Sequence, residues 1–132
     1  MYKSRLCLGT NSQFGISIKK QIELFKQTGF DGFFTEWNSE IMEYRRLADK
    51  IDMIYQSIHA PFENASKMWK NNKESENAVN ELISCIRDCA EAEVPIMIVH
   101  TYTGFDSEDI PTKEGIDNFG RVVEEADKLN VK

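Results

Sequence analysis

Two histidines in this chain follow short apolar runs of the kind that form buried strands. His59 ends a run that starts at Tyr55 and is followed by Ala60-Pro61-Phe62, and His100 comes directly after Ile96–Val99. An imidazole near neutral pH can donate or accept a hydrogen bond, carry a proton or bind a metal ion. The spacing therefore predicts that two strands each deliver one imidazole to the point where the strand ends.

Three more residues are candidates for a ligand site because they also follow apolar runs. Glu36 and Trp37 come after Phe33-Phe34, and Asn11 comes after the first apolar run. Burying a carboxylate without a partner is costly, so Glu36 should face a polar pocket. Trp37 offers an apolar face to a ligand or packs at the rim, and Asn11 is a weaker hydrogen-bonding candidate. The predicted substrate-binding residues are Glu36, His59, His100, Asn11 and Trp37, and no catalytic role is assigned among them.

The elements that must position these side chains alternate between strand and helix four times. Apolar runs predict strands over about 6–10, 33–37, 53–59 and 96–100, and helical periodicity predicts helices over about 17–28, 39–51, 74–93 and 112–129. Ser17 and Thr112 are suited to cap the first and last helices, and Gly29 to end the first. The fourth helix is expected to bury Ile116, Phe119, Val123 and Ala126.

This order predicts an α/β fold with parallel strands, since parallel strands need crossover helices. Two architectures fit: an open doubly wound sheet, and half of a (β/α)8 TIM barrel. The segment from Gly9 to Gly15 has neither the GxGxxG pattern nor a Walker lysine, which disfavours nucleotide-binding open sheets. Polar residues at the carboxyl ends of several strands favour the half-barrel. Residues 1–132 are expected to form one domain.

Several motifs resemble the xylose isomerase-like TIM barrel superfamily, which includes sugar phosphate isomerases and epimerases and the endonuclease IV-like enzymes. The matching segments are Gly29-Phe30-Asp31-Gly32 before the strand with Glu36, Ser57-Ile58-His59-Ala60-Pro61-Phe62, and Ile98-Val99-His100. The closing segment 126–132 resembles the one before the family's fifth strand. The resemblance implies the amino-terminal half of such a barrel, truncated before strand five.

That resemblance implies a divalent-metal-dependent isomerase or epimerase of a sugar, sugar phosphate or polyol. The metal (Mn, Zn, Co or Mg) belongs to the full barrel, whose ligands come mostly from the fifth strand onward. We therefore expect that this chain alone has little or no activity, and whether it binds a metal by itself is left open. The alternative is an endonuclease IV-like zinc phosphodiesterase, in which His59 and His100 would be metal ligands. A structural role for both imidazoles is also open.

Composition restricts the partners of the chain. The formal net charge is −6, which gives no electrostatic case for binding nucleic acid non-specifically. Cys7, Cys85 and Cys89 form no CxxC pair and are expected to be buried, reduced thiols. No apolar run is long enough to span a membrane, so a cytoplasmic location is the default. A half-barrel would expose apolar edges, which predicts either a non-catalytic homodimer or association with the remainder of a longer chain.

Overall fold

The computed structural model describes residues 4–104 and 110–132, which form four strands and four helices in alternation. The strands are β1 (Cys7–Gly9), β2 (Gly32–Glu36), β3 (Ile54–His59) and β4 (Met97–Ile98). The helices are α1 (Ile18–Gln27), α2 (Ile41–Ile51), α3 (Lys73–Glu91) and α4 (Lys113–Leu129). Short 3-10 turns lie at Ser12–Phe14 and Ala65–Trp69.

The four strands form one sheet in the order β1-β2-β3-β4, with every neighbouring pair parallel. Each connection is a helix, as parallel pairing requires. Because all strands run the same way, their carboxyl ends lie along one edge of the sheet. The predicted alternation and the parallel sheet are therefore present, with β4 shorter than its apolar run suggested.

The helices begin where the sequence supplies capping side chains. The Ser17 hydroxyl accepts from the Lys20 N–H, and the Thr112 hydroxyl accepts from the Gly115 N–H. Asn72 and Ser75 form a reciprocal capping box at the start of α3. Gly29 follows α1 with a φ of 91°, a conformation that glycine adopts without strain.

The core lies between the helices and one face of the sheet. Its largest fully buried side chains include Phe33 and Tyr55, whose rings stack at a centroid distance of 4.6 Å. Cys85 and Cys89 are buried on α3 and Cys7 is half-buried, and all three are free thiols. Within the described residues, no helix combines the length and apolar character needed to cross a lipid bilayer.

Of the four residues expected on the buried face of α4, Phe119 and Ala126 are half-buried against the core, and Ile116 and Val123 are not. Val122 is 4% exposed, whereas Ile116 and Val123 are 63% and 57% exposed. Gly115 is buried against the Trp69 ring, which would lie 2.0 Å from a Cβ atom at that position. The close approach of this ring turns α4 so that the Gly115–Val122 side faces inward. Ile116 and Val123 consequently lie on a flank of the helix that nothing in the described residues covers.

A β-bulge in β3 determines which way His59 points. Phe33 pairs with Tyr55, but the next residue, Phe34, pairs with Ser57, so Gln56 is an extra residue. Strict alternation would put Tyr55 and His59 on the same face of the sheet. The extra residue reverses the alternation, so that Tyr55 remains on the helix-covered face and His59 reaches the opposite, inner face.

The outer edge of β4 is paired with the last residue of the chain. The Lys132 N–H donates to the Pro95 carbonyl at 2.9 Å, and the Met97 N–H donates to the Lys132 carbonyl at 2.8 Å. This is the hydrogen-bond pattern of a parallel bridge between Lys132 and Ile96.

Candidate functional site

Three of the predicted site residues meet on the inner face of the sheet at its carboxyl edge. Glu36 lies directly opposite His59 in the β2–β3 ladder, and His59 lies opposite Ile98 in the β3–β4 ladder. His100, two residues beyond Ile98, shares that face. A cavity of about 210 Å³ opens here, and it is lined by Thr10, Phe34, Thr35, Glu36, His59, Phe62 and His100.

The two imidazoles are in direct contact. Their Nε2 atoms lie 3.0 Å apart, and their ring centroids lie 4.9 Å apart. The His59 Nδ1 atom lies 3.1 Å from the Ala60 carbonyl, which can only accept, so this nitrogen carries the proton. In the neutral His59 ring, Nε2 then carries a lone pair, and it accepts a hydrogen bond from the His100 Nε2–H. The tautomers of both rings follow from their hydrogen-bond partners.

Phe62 is a site residue to which the sequence assigned no role. Its ring centroid lies 5.4 Å from that of His100 and 6.2 Å from that of His59, so it forms an apolar wall beside the imidazoles. Its position in the Ala60-Pro61-Phe62 step was the available signal. Thr10 and Phe34 were also missed. Gly9 allows the Phe34 ring to lie over β1, where a Cβ atom would approach that ring to 2.5 Å.

The structure does not bring Asn11 or Trp37 to the cavity lining. The Asn11 side-chain oxygen accepts from the Gln13 N–H at 2.8 Å and so caps a 3-10 turn. The Trp37 indole N–H donates to Asp88 Oδ2 on α3 at 2.7 Å, which turns the ring toward the helices. Their predicted contact with substrate stays a prediction.

The electrostatics of the cavity are simple. Among the seven described residues that line the cavity, Glu36 carries a negative charge, and none is a lysine or an arginine. Within residues 4–104 and 110–132, no hydrogen bond or ion pair to the Glu36 carboxylate is present. The carboxylate is exposed and so remains available to accept from a ligand hydroxyl.

Beneath the cavity, the sheet is held by a buried pair of hydroxyl groups. The Thr35 and Tyr55 hydroxyls are hydrogen-bonded to one another on the helix-covered face. Burial raises the pKa of Tyr55 well above its ordinary value, because the phenolate would lose its hydration. This tyrosine therefore acts as a neutral structural group that fixes β2 against β3, just below Glu36 and His59.

The residues present supply part of a metal site. Two imidazole nitrogens 3.0 Å apart are close enough to share one ion instead of a hydrogen bond. A catalytic zinc site usually has three protein ligands, and no group of three or more potential ligands occurs in the described residues. His59 and His100 fit a metal as two of its ligands, and the others would have to come from elsewhere.

A larger cavity of about 620 Å³ lies at the opposite, amino-terminal end of the strands, lined by residues including Arg5, Lys26 and Asp31. Two of its charged side chains already have partners: Asp31 accepts from the Leu6 N–H, and Lys26 donates to the Asp52 carbonyl. Parallel α/β folds place their ligand sites at the carboxyl end. We therefore take the smaller cavity as the candidate site.

No protein-family model and no curated protein matches this sequence. Solved structures do match in fold. The 3-keto-D-glucoside 4-epimerase of E. coli aligns with a TM-score of 0.79 at 15% identity, over 98% of this chain and 54% of that one. The D-psicose 3-epimerase of Clostridium cellulolyticum H10 aligns with a TM-score of 0.76 at 14% identity, over 97% and 50%. A family 2 AP endonuclease of Brucella melitensis gives 0.75 at 9% identity, over 97% and 53%.

These matches confirm the predicted fold class and the predicted resemblance in fold. The chain has the architecture of half of a (β/α)8 TIM barrel, and it spans about half the length of the solved structures that it matches. At these identities the likeness concerns the fold, so the chemistry has to be argued from the site.

Proposed function

We propose that this half-barrel supplies the substrate-facing part of a divalent-metal-dependent sugar isomerase or epimerase site. The observation that carries the proposal is the convergence of Glu36, His59 and His100 around one small cavity at the carboxyl edge of the sheet. A carboxylate acceptor beside two imidazoles matches the hydroxyl groups and the single carbonyl group of a ketose, and Phe62 offers an apolar surface to its C–H faces.

Two further points support a neutral, polyhydroxylated ligand. The cavity lining has no cationic side chain among its described residues, whereas a phosphate group is usually held by arginine, lysine or a helix N-terminus. Two of the matching structures are named as epimerases of keto sugars. In this proposal the metal belongs to the complete barrel, and the present chain is one cytoplasmic domain with little turnover by itself. His59 and His100 bind substrate oxygens when substrate replaces the hydrogen bond between their Nε2 atoms.

The test is a titration of the ¹⁵N-labelled chain with D-tagatose, followed by NMR. We expect weak binding that shifts the imidazole signals of His59 and His100 and the amide signal of Phe62. Glu36→Gln should weaken that binding severalfold, whereas Glu124→Gln, the same change at an exposed position of α4, should leave it unchanged. The proposal fails if D-tagatose produces no saturable shift in these signals.

An endonuclease IV-like zinc phosphodiesterase is the second candidate, and the 3.0 Å separation of the two Nε2 atoms favours it. The AP endonuclease among the matching structures has the same fold. This candidate predicts that the chain binds Zn²⁺ through both imidazoles and binds a DNA duplex carrying an abasic site. Zinc binding that is lost in His59→Ala and His100→Ala, together with binding to that duplex, would favour it over the first.

A non-catalytic half-barrel that forms a homodimer is the third candidate. The uncovered flank of α4, with Ile116 and Val123, and the exposed Leu6 and Leu8 on and beside edge strand β1 favour it. Light scattering distinguishes this candidate. A defined dimer that binds neither D-tagatose nor zinc would support it, and a stable monomer would exclude it.

A further inference from the structure

The loops that follow β3 and β4 are joined by a set of reciprocal hydrogen bonds. The Thr103 N–H donates to Ser66 Oγ at 2.8 Å, and the Ser66 N–H donates to Thr103 Oγ1 at 3.3 Å. The Thr103 hydroxyl donates to the Phe62 carbonyl at 2.9 Å, and the Glu63 carbonyl lies 3.1 Å away. Thr103 therefore fixes the loop after β4 against the loop after β3, through both its backbone N–H and its hydroxyl group.

Trp69 contacts both ends of the loop that follows β4. Its indole N–H donates to the Thr101 carbonyl at 2.6 Å, and its ring stacks on Tyr102 at a centroid distance of 5.1 Å and an interplanar angle of 14°. At the other end, the Thr112 hydroxyl donates to the Trp69 carbonyl at 2.6 Å, and Gly115 leaves room for the ring. One residue thus connects the start of the loop to the start of α4.

These contacts matter because His100 lies beyond the regular part of the sheet. Strand β4 ends at Ile98, whose carbonyl accepts the Ala60 N–H at 2.9 Å. His100 is two residues further on, directly before the Thr101 carbonyl that Trp69 holds. Its ring packs against Phe62, whose own carbonyl is held by Thr103. The hydrogen bonds of the sheet therefore do not fix the direction of the His100 imidazole. The contacts of Trp69 with the Thr101 carbonyl and of Thr103 with the Phe62 carbonyl fix it instead.

We propose that Trp69 and Thr103 are positioning residues that hold the His100 imidazole within hydrogen-bond distance of His59. Neither side chain lines the cavity, so each acts through the backbone and through Phe62. The inference concerns the same site as the proposed function. It does not depend on which ligand that site takes.

The tautomers of the two imidazoles provide the test. His59 and His100 are the only histidines in the chain, so the imidazole signals in a ¹⁵N NMR spectrum report this site alone. In a neutral ring, the protonated and the lone-pair nitrogen have distinct ¹⁵N shifts. At a mildly alkaline pH, we expect the wild-type chain to show a protonated Nδ1 in His59 and a protonated Nε2 in His100.

In Trp69→Phe, which retains a ring but loses the indole donor, the His100 imidazole should lose its fixed tautomer and give averaged shifts, whereas the Ala60 carbonyl should keep the His59 proton on Nδ1. Thr103→Val should have the same effect, whereas Thr103→Ser, which keeps the hydroxyl, should retain the wild-type pattern. The matched control is Trp37→Phe. It also removes an indole donor, whose bond to Asp88 is 2.7 Å long, but it does not touch the loop after β4.

Backbone amide spectra and thermal unfolding establish that each variant is folded. Folded Trp69→Phe and Thr103→Val chains that keep the wild-type His100 tautomer would overturn the proposal, even if their melting temperatures fall, because that result assigns the two residues a purely structural role. If Trp69→Phe does not fold, Thr103→Val against Thr103→Ser decides the question. Failure of the D-tagatose titration would refute the proposed function and would leave this comparison of tautomers unaffected.

Discussion

Gly115 and Gly120 occupy the same helix, and the structure predicts that replacing each with alanine changes stability in opposite directions. At Gly120, nothing lies within 4 Å of an added Cβ atom. Alanine there should stabilise the chain by about 0.5–1 kcal/mol, because glycine loses more backbone entropy in a helix. For a domain of this size, that gain should raise the melting temperature by about 2–5 °C.

At Gly115, the added Cβ atom would lie 2.0 Å from Trp69 Cε3 and 2.7 Å from Cδ2. Overpacking of this kind costs about 1–3 kcal/mol. So short a contact with a rigid ring puts the cost at the upper end, and the gain in helix propensity of about 1 kcal/mol offsets only part of it. We expect Gly115→Ala to lower the free energy of unfolding by about 2 kcal/mol, as the difference between these terms.

Urea denaturation followed by circular dichroism measures both changes on the same scale. The two variants control for one another, since substitution, helix and solvent are identical. The reasoning is refuted if both variants shift the midpoint in the same direction, or if Gly115→Ala is neutral. Gly115→Ala should also alter the indole fluorescence by displacing the Trp69 ring, and Gly120→Ala should not.

Three other changes are expected to have defined outcomes. Tyr55→Phe should lower the free energy of unfolding in urea by about 1–2 kcal/mol, because it leaves the buried Thr35 hydroxyl without its partner. Hydrogen bonds from Arg121 hold the pKa of Glu76 below its usual value of 4.5. This pair therefore stabilises α3 against α4 above that pH, and its contribution is lost on acidification. Arg121→Gln should accordingly flatten the acid side of a profile of stability against pH. Deleting Gln56, the extra residue of the bulge, should leave the chain folded with the same NMR signals for both imidazoles.

Each of these three has a control. The double variant Thr35→Val, Tyr55→Phe should lower the free energy of unfolding by less than the sum of the two single changes. Full additivity would show that the hydroxyls do not interact. Glu76→Gln should abolish the same acid dependence as Arg121→Gln, and a profile that keeps its slope in both variants would contradict the assignment. Deleting a residue beyond the bulge should instead turn His59 toward the core and prevent stable folding.

The order of elements and the place of the site could be predicted from the sequence because they depend on local patterns. Apolar runs, the capping residues Ser17 and Thr112 and the histidines at strand ends act within a few residues of chain. They led to the parallel half-barrel and to the meeting of Glu36, His59 and His100 at one edge.

The features that were missed depend on contacts between distant segments. The buried face of α4 depends on the approach of Trp69 to Gly115, so a search for apolar periodicity selected Val123 in place of Val122. The bulge at Gln56 exists only relative to the partner strand β2. Trp37 comes directly after β2, which ends at Glu36, and its indole N–H donates to Asp88 on α3, a partner that its neighbours in sequence do not reveal.

The bridge between Lys132 and Ile96 sets the register of pairing along the open side of the sheet. Any strand that runs along β4 in the register of Lys132 advances in step with it, and Ile98, the last residue of β4, lies two residues beyond Ile96. The residue in the second position after the bridge would therefore lie beside Ile98 with its side chain on the inner face. A side chain two steps along such a strand is thus on the face that holds the imidazole pair, and residues one step to either side of it are turned away.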